Sequence, residues 1–338
     1  MWLVLGWACP APVDEVPEPP EPVTTPSNPD TGTPVEGSPS GVTGATGDTA
    51  GPGRVIDCAA IPPVGAIREI PAARGYHDLA FATDGRIIGA GTFQDLLAAD
   101  AAGTVSLYAT LEANSDQMAW LPDGDLAVAT TQGILRVTAA GAVTVISPDV
   151  RPYGLVVGPN GLLYASDQQR MVRVDPSTGE SELVLGPSAL PAGFPRVAAF
   201  SIDDTRLFVG TFAGSGGRIY AFDLDADFLP TGPPTEFASN VGLGSFHDAL
   251  GVDVCGNLYA TDYETSALYR ITPAGVVSKL WDAPAQRHPH GLEWGTLTGG
   301  WLDDALYLPL PYADNAVAEI VIGVPARGWT DGAVINLP

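Results

Sequence analysis

Residues 248–262 read DALGVDVCGNLYATD: an alternating apolar run, a turn built around Gly256, and a second apolar run. The same figure recurs along the chain. Aligned on the second run it gives RIIGAG (86–91), DLAVAT (125–130), LLYASD (162–167), RLFVGT (206–211), NLYATD (257–262) and ALYLPL (305–310). Third runs follow as ILRVT (134–138), MVRVD (171–175), RIYAFDL (218–224), ALYRIT (267–272) and VAEIVI (317–322), with only LLAAD (96–100) in the first repeat. Fourth runs include TVSLYAT (104–110), AVTVIS (142–147), SELVLG (181–186), TEFAS (235–239) and VSKLWDA (277–283). Alternation of this kind argues for half-buried strands. Four short strands in a unit of roughly 40–50 residues describe a β-propeller blade. The repeats therefore predict an all-β, six-bladed propeller of four-stranded blades over residues 55–338.

One residue of each repeat falls where the first strand begins: His77, Asp116, Tyr153, Arg196, Asp248 and His290, separated by 39, 37, 43, 52 and 42 residues. In a closed ring these six side chains converge at one end of the axis. Closure has two candidates. GAIREIP (65–71) precedes the first inner strand and can supply the outer strand of the last blade, and GAVINLP (332–338) competes for that role.

The chain carries 15 Lys+Arg against 39 Asp+Glu, a net charge of -24, which repels nucleic acid and anionic membranes. Residues 1–9, MWLVLGWAC, resemble the end of a bacterial lipoprotein signal with Cys9 as the lipidated residue, although Gly6 stands where Leu is usual. An ordinary signal peptide is the competing reading. Residues 10–54 hold eleven prolines among Thr, Ser, Gly, Asp and Glu, a composition unable to form a core, and are expected to be a disordered tether. Together these point to an extracytoplasmic location, periplasmic, outer-membrane or secreted, with membrane tethering through a Cys9 lipid and a monomeric propeller. The remaining cysteines fit that compartment. Cys255 lies in the turn after the fifth inner strand and Cys58 shortly before the closing strand, at the same end of the ring, so a Cys58–Cys255 disulfide is expected.

The segments RIYAFDLDADFLPTG (218–232), DALGVDVCGNLYATD (248–262) and LYRITPAG (268–275) resemble the senescence marker protein, gluconolactonase and luciferin-regenerating enzyme family. Residues 151–167 and 195–211 show a looser pattern shared with virginiamycin B lyase. The resemblance implies a metal-dependent lactonase with a divalent cation on the axis. Its ligands would be a Glu at the first inner strand, an Asn at the fourth and the Asp at the fifth, with a substrate-binding Asn at the third. Asp248 matches that Asp, but the other positions hold His77, Arg196 and Tyr153. Arginine offers only donors and stays charged, so it is no metal ligand.

Read without the family, His77, Asp116, Asp248 and His290 form an arc of imidazoles and carboxylates suited to a divalent metal such as Ca, Zn or Mn. Tyr153 and Arg196 face that arc as ligand-binding groups, and Asp78, His247 and His288 are candidate supporting residues. The competing reading is a salt-bridged plug in which Asp248 pairs with Arg196 and Asp116 with His77. No nucleotide cofactor is expected and no nucleophile motif is present. Asp223, Asp225 and Asp227 imitate the start of a calcium loop, but Phe228 replaces its glycine and Pro234 its final Glu, which makes the segment a structural turn. The functional expectation is a module binding a small ligand or protein partner at the axial site. A metal-dependent, lactonase-like hydrolase or a lyase is the alternative.

Overall fold

The computed structural model describes residues 55–70, 73–90, 94–167, 169–212, 216–242, 246–284, 287–312, 316–329 and 334–336. The signal-like segment 1–9 with Cys9 and the linker 10–54 lie outside them. The described residues form six four-stranded antiparallel sheets and one two-stranded sheet. Five sheets are continuous in sequence. Their inner strands are Leu79–Phe81, Ser115–Trp120, Leu155–Val157, Phe194–Phe200 and His247–Val252. The sixth blade is built on Glu293–Trp294, Ala305–Leu310 and Ala316–Val321, and its outer strand, Ile67–Ile70, comes from the other end of the chain.

GAIREIP is thus the strand that closes the ring. Its register sets Arg68 opposite Glu319. Arg68 Nε and Nη2 donate to the two Glu319 carboxylate oxygens at 2.6 and 2.8 Å, and Tyr307 Oη donates to Glu319 Oε2 at 2.6 Å. A bidentate, charge-assisted pair fixes register as well as adding stability. GAVINLP takes another role: Val334–Asn336 pairs in parallel with Val55–Asp57. Beside that ribbon Cys58 and Cys255 form a disulfide, with Cα atoms 5.3 Å apart, over a small cluster of Ile56, Val254 and Val324.

Alternation along each strand explains how six sheets become one body. Neighbouring residues point to opposite faces of a blade. Leu126 and Val128 pack against the first blade, while Ala127 and Ala129 pack against the third. The same holds round the ring, so each gap between blades is filled by its own core.

The turn in DALGVDVCGNLYATD shows how sequence fixes local structure. Asp253 Oδ1 accepts the N–H groups of Cys255 and Asn257, and its Oδ2 accepts Asn257 Nδ2 and the Tyr259 hydroxyl. Gly256 adopts φ 78°, a conformation that a Cβ disfavours. The carboxylate satisfies a tight turn while Asp248, at the start of the same strand, reaches the opposite end of the axis. The DLDADF segment forms a comparable turn. Asp225 Oδ1 accepts the N–H groups of Asp227 and Leu229, with Phe228 at φ 58°.

Candidate functional site

Asp116, Arg196 and Asp248 lie within the inner strands of their blades, whereas His77, Tyr153 and His290 stand on the chain just before theirs. The centre of the group is Asp248, which is fully buried. Its Oδ1 accepts Arg196 Nε at 2.9 Å, Arg196 Nη2 at 2.7 Å and the Tyr153 hydroxyl at 3.0 Å. The Arg196 guanidinium carbon lies 3.5 Å from the Tyr153 ring centroid, with Phe246 and Phe212 at 5.3 and 5.4 Å. A planar cation held by a buried carboxylate and three aromatic faces is strongly fixed in place.

The opposite side of the ring is more loosely bonded. His77 Nδ1 lies 3.0 Å from Asp116 Oδ1, off the line that a hydrogen bond needs. His290 Nε2 lies 4.0 Å from Asp248 Oδ2; that oxygen and both His290 nitrogens are buried without a hydrogen-bond partner. The spacing suits one hydroxyl-sized group bonding to both residues. Burial, reinforced by His77, Arg196 and His288, holds His290 well below the usual imidazole range, so it is neutral near pH 7. Burial also pushes Tyr153 well above the usual phenol range, with Asp248 adding to it. Of the expected four-residue arc, Asp116 lies beside His77, Asp248 is held by Arg196, and the His290 ring is left without a hydrogen-bond partner among the described residues, which is the arrangement of the salt-bridged plug.

The three supporting candidates have other partners. His247 Nδ1 accepts the Thr211 N–H at 3.1 Å and its Nε2 donates to Val241 O at 2.9 Å, which fixes a neutral ring facing away from Asp248. Burial lowers its pKa accordingly. His288 Nδ1 lies 2.7 Å from both Ser266 Oγ and Tyr263 O, and its ring stacks on Tyr263 at 4.3 Å. Asp78 Oδ2 accepts the Met118 N–H at 2.9 Å. Burial raises Asp78 well above the carboxylate range, with Glu293 adding to it, and pushes Glu293 itself up to about 7.

Several participants are not visible from the ring positions alone. Gln117 spans blades: its Nε2 donates to Asp248 O at 2.9 Å and its Oε1 accepts the Leu155 N–H at 3.0 Å. Aromatic rings form a collar about the two histidines. Phe212 meets Phe246 at 4.8 Å, Phe246 meets Tyr263 at 5.6 Å, Tyr263 meets His290 at 5.5 Å, and Tyr76 meets His77 at 4.2 Å. A sequence signal did exist. Tyr76 and Phe246 precede ring positions by one and two residues, and Tyr263 directly follows LYATD.

A cavity of about 360 Å³ opens beside the ring across blades two, three and four. Asp116, Thr131, Arg151, Tyr153, Arg196 and Phe212 are among the residues that line it. Both expected ligand-binding residues, Tyr153 and Arg196, border it. Arg196 does so as an ion-paired wall rather than as a free cation.

Among solved structures, the chain is similar to a calcium-binding protein, regucalcin, from Agrobacterium tumefaciens, with a TM-score of 0.61 and 15% identity over 81% of this chain and 97% of that one. It is also similar to a gluconolactonase from Xanthomonas campestris, with a TM-score of 0.61 and 16% identity over 79% of this chain and 92% of that one. Virginiamycin B lyase from Staphylococcus aureus gives a TM-score of 0.53 and 15% identity over 76% and 99%. These neighbours share the fold. No family model matches the sequence, and no curated protein does.

A cation such as regucalcin's calcium finds a poor donor set here. Asp248 Oδ1 is filled by three donors, one group of which is a permanent cation 2.7 Å away. Among the described residues, no three His, Cys, Asp or Glu side chains gather as a metal-holding group. In this arrangement the axial residues do not fit a divalent metal.

Proposed function

We propose that the protein is an exported, monomeric propeller that binds a small molecule in the cavity beside its axis. The observation carrying this reading is the cavity itself, set against the fixed Tyr153–Arg196–Asp248 assembly. Small-molecule sites are concave, largely apolar and preformed, with a few placed polar groups. Here Phe212 and Tyr153 supply the apolar side, while Arg151, Asp116 and the Thr131 hydroxyl supply the polar one. The Cys58–Cys255 disulfide supports export, because such bonds persist in oxidising compartments. Lipidation at Cys9 would then tether the propeller to a membrane through the linker.

Thr131 is exposed and lines the cavity, so Thr131→Trp fills the space without entering a core. A thermal-shift screen of small metabolites should yield compounds that stabilise the natural protein and lose their effect on Thr131→Trp. Equal stabilisation of both proteins by every hit would place binding elsewhere and end this reading. The metal-dependent alternative has less support, since Arg196 occupies the carboxylate that a cation would need.

A further inference from the structure

Basic side chains are scarce in this chain and almost all are engaged. Among the described residues, ten lie against a carboxylate, the Arg68–Glu319 and Arg196–Asp248 pairs among them. Arg206 stands 5.4 Å over the Phe208 ring, and Arg270 bonds the Tyr259 hydroxyl. Arg151 has no such partner among the described residues. With 39 acidic residues in the chain, an arginine left without one is notable for its position. It lies on the wall of the axial cavity, next to Pro152 and Tyr153.

The other polar groups there divide clearly. The Arg196 charge is compensated by Asp248. Ser166 Oγ donates to Arg196 O, and Thr130 Oγ1 donates to Gly133 O at 2.8 Å. Among the described residues, what remains free on this lining to meet a ligand is the Arg151 guanidinium and the Thr131 hydroxyl. Asp116, also on the wall, would repel an anion placed near it, so a negative group is directed to the Arg151 end. The net charge of -24 does not forbid this, because screening over about 8 Å confines the decision to nearby groups.

We propose that Arg151 forms an anion subsite and that the ligand is a small organic acid or phosphate monoester whose apolar body lies against Phe212 and Tyr153. The guanidinium fork matches either oxyanion through two parallel hydrogen bonds. This rests on the small-ligand reading above and names the class of ligand.

The test uses the full chain and four probes, benzoate, phenyl phosphate, benzyl alcohol and inorganic phosphate, titrated by calorimetry or NMR against the natural protein and Arg151→Gln. Benzoate or phenyl phosphate should bind at least about tenfold more tightly than benzyl alcohol, the worth of one charge-assisted contact. Which of the two binds better tells carboxylate from phosphate. Arg151→Gln should abolish the preference, bringing benzoate and phenyl phosphate to the same affinity as benzyl alcohol. Equal binding of benzoate and benzyl alcohol, or a preference that survives Arg151→Gln, overturns the anion subsite while leaving the small-ligand reading intact. Inorganic phosphate binding as tightly as phenyl phosphate overturns the apolar contact. Absence of binding by all four probes overturns the ligand class, and the metabolite screen against Thr131→Trp then decides the broader reading separately.

Discussion

Replacing Arg196 by Met tests how the axis is held together. Methionine keeps the length and apolar stem of the side chain but removes the cation. Asp248 is fully buried and would lose both Arg196 hydrogen bonds, keeping only the one from Tyr153 at 3.0 Å. Breaking a buried pair by deleting one partner costs about 3–5 kcal/mol, because the surviving charge has no compensation. Exposed surface ion pairs cost roughly 0–1 kcal/mol, so the two situations are separable. For a domain of this size the loss lowers the melting temperature by roughly 10 °C. The assay is urea unfolding at pH 7 with the disulfide intact.

A double variant sharpens the test. Arg196→Met with Asp248→Asn removes both charges and leaves an amide that still accepts the Tyr153 hydroxyl. It should recover most of the lost stability, with a coupling energy of at least about 2 kcal/mol. Calcium or manganese should stabilise Arg196→Met, where the buried carboxylate is left without a counter-charge, and leave the natural protein unchanged. A single variant losing less than about 1 kcal/mol would refute the reasoning. So would a double variant no better than the single one.

Two further predictions concern the frame. The Cys58–Cys255 bond closes a separation of 197 residues, for which loop entropy gives about 5 kcal/mol as an upper value. The paired Ser variant should unfold about 2–5 kcal/mol more easily, and a loss below that range would show that the bond constrains the unfolded chain less than loop closure predicts. Glu293, raised from 4.5 to about 7, is stabilising in its neutral form; that contribution is complete below pH 4.5 and is lost as pH rises through about 7. Glu293→Gln should therefore gain stability over the natural protein progressively across that window, on the order of 3 kcal/mol in all, and a difference independent of pH would contradict the shift.

The repeat was legible because alternation is a local property. Leu126 and Val128 face one neighbour and Ala127 and Ala129 the other, and the chain states this without reference to anything distant. The ring positions followed from register alone. The choice between GAIREIP and GAVINLP did not, since it rests on Arg68 meeting Glu319 across 251 positions of sequence. The choice between a metal-binding arc and paired charges within the ring was out of reach for the same reason. His247 and Asp248 are adjacent in sequence, yet one is committed to the backbone of Thr211 and Val241 and the other to Arg196. A propeller brings its blades together at the axis only in three dimensions, so sequence offered both a metal-binding arc and the Asp248–Arg196 and Asp116–His77 pairs without choosing between them.

That pairing also bears on where a ligand can act. A carboxylate neutralised by an exchangeable metal leaves coordination positions for substrate. A carboxylate neutralised by Arg196 leaves none on Oδ1, because the guanidinium and the Tyr153 hydroxyl saturate it. On the axis, Asp248 Oδ2 and the His290 nitrogens are then left without a hydrogen-bond partner among the described residues, and the proposed recognition draws mainly on groups beside it. The cavity lies there, lined in part by the same Tyr153 and Arg196 that close the centre. The buried ion pair thus forms a rigid floor, and under the proposed small-ligand reading the selectivity of the site would fall to Arg151, Asp116 and Thr131 around it.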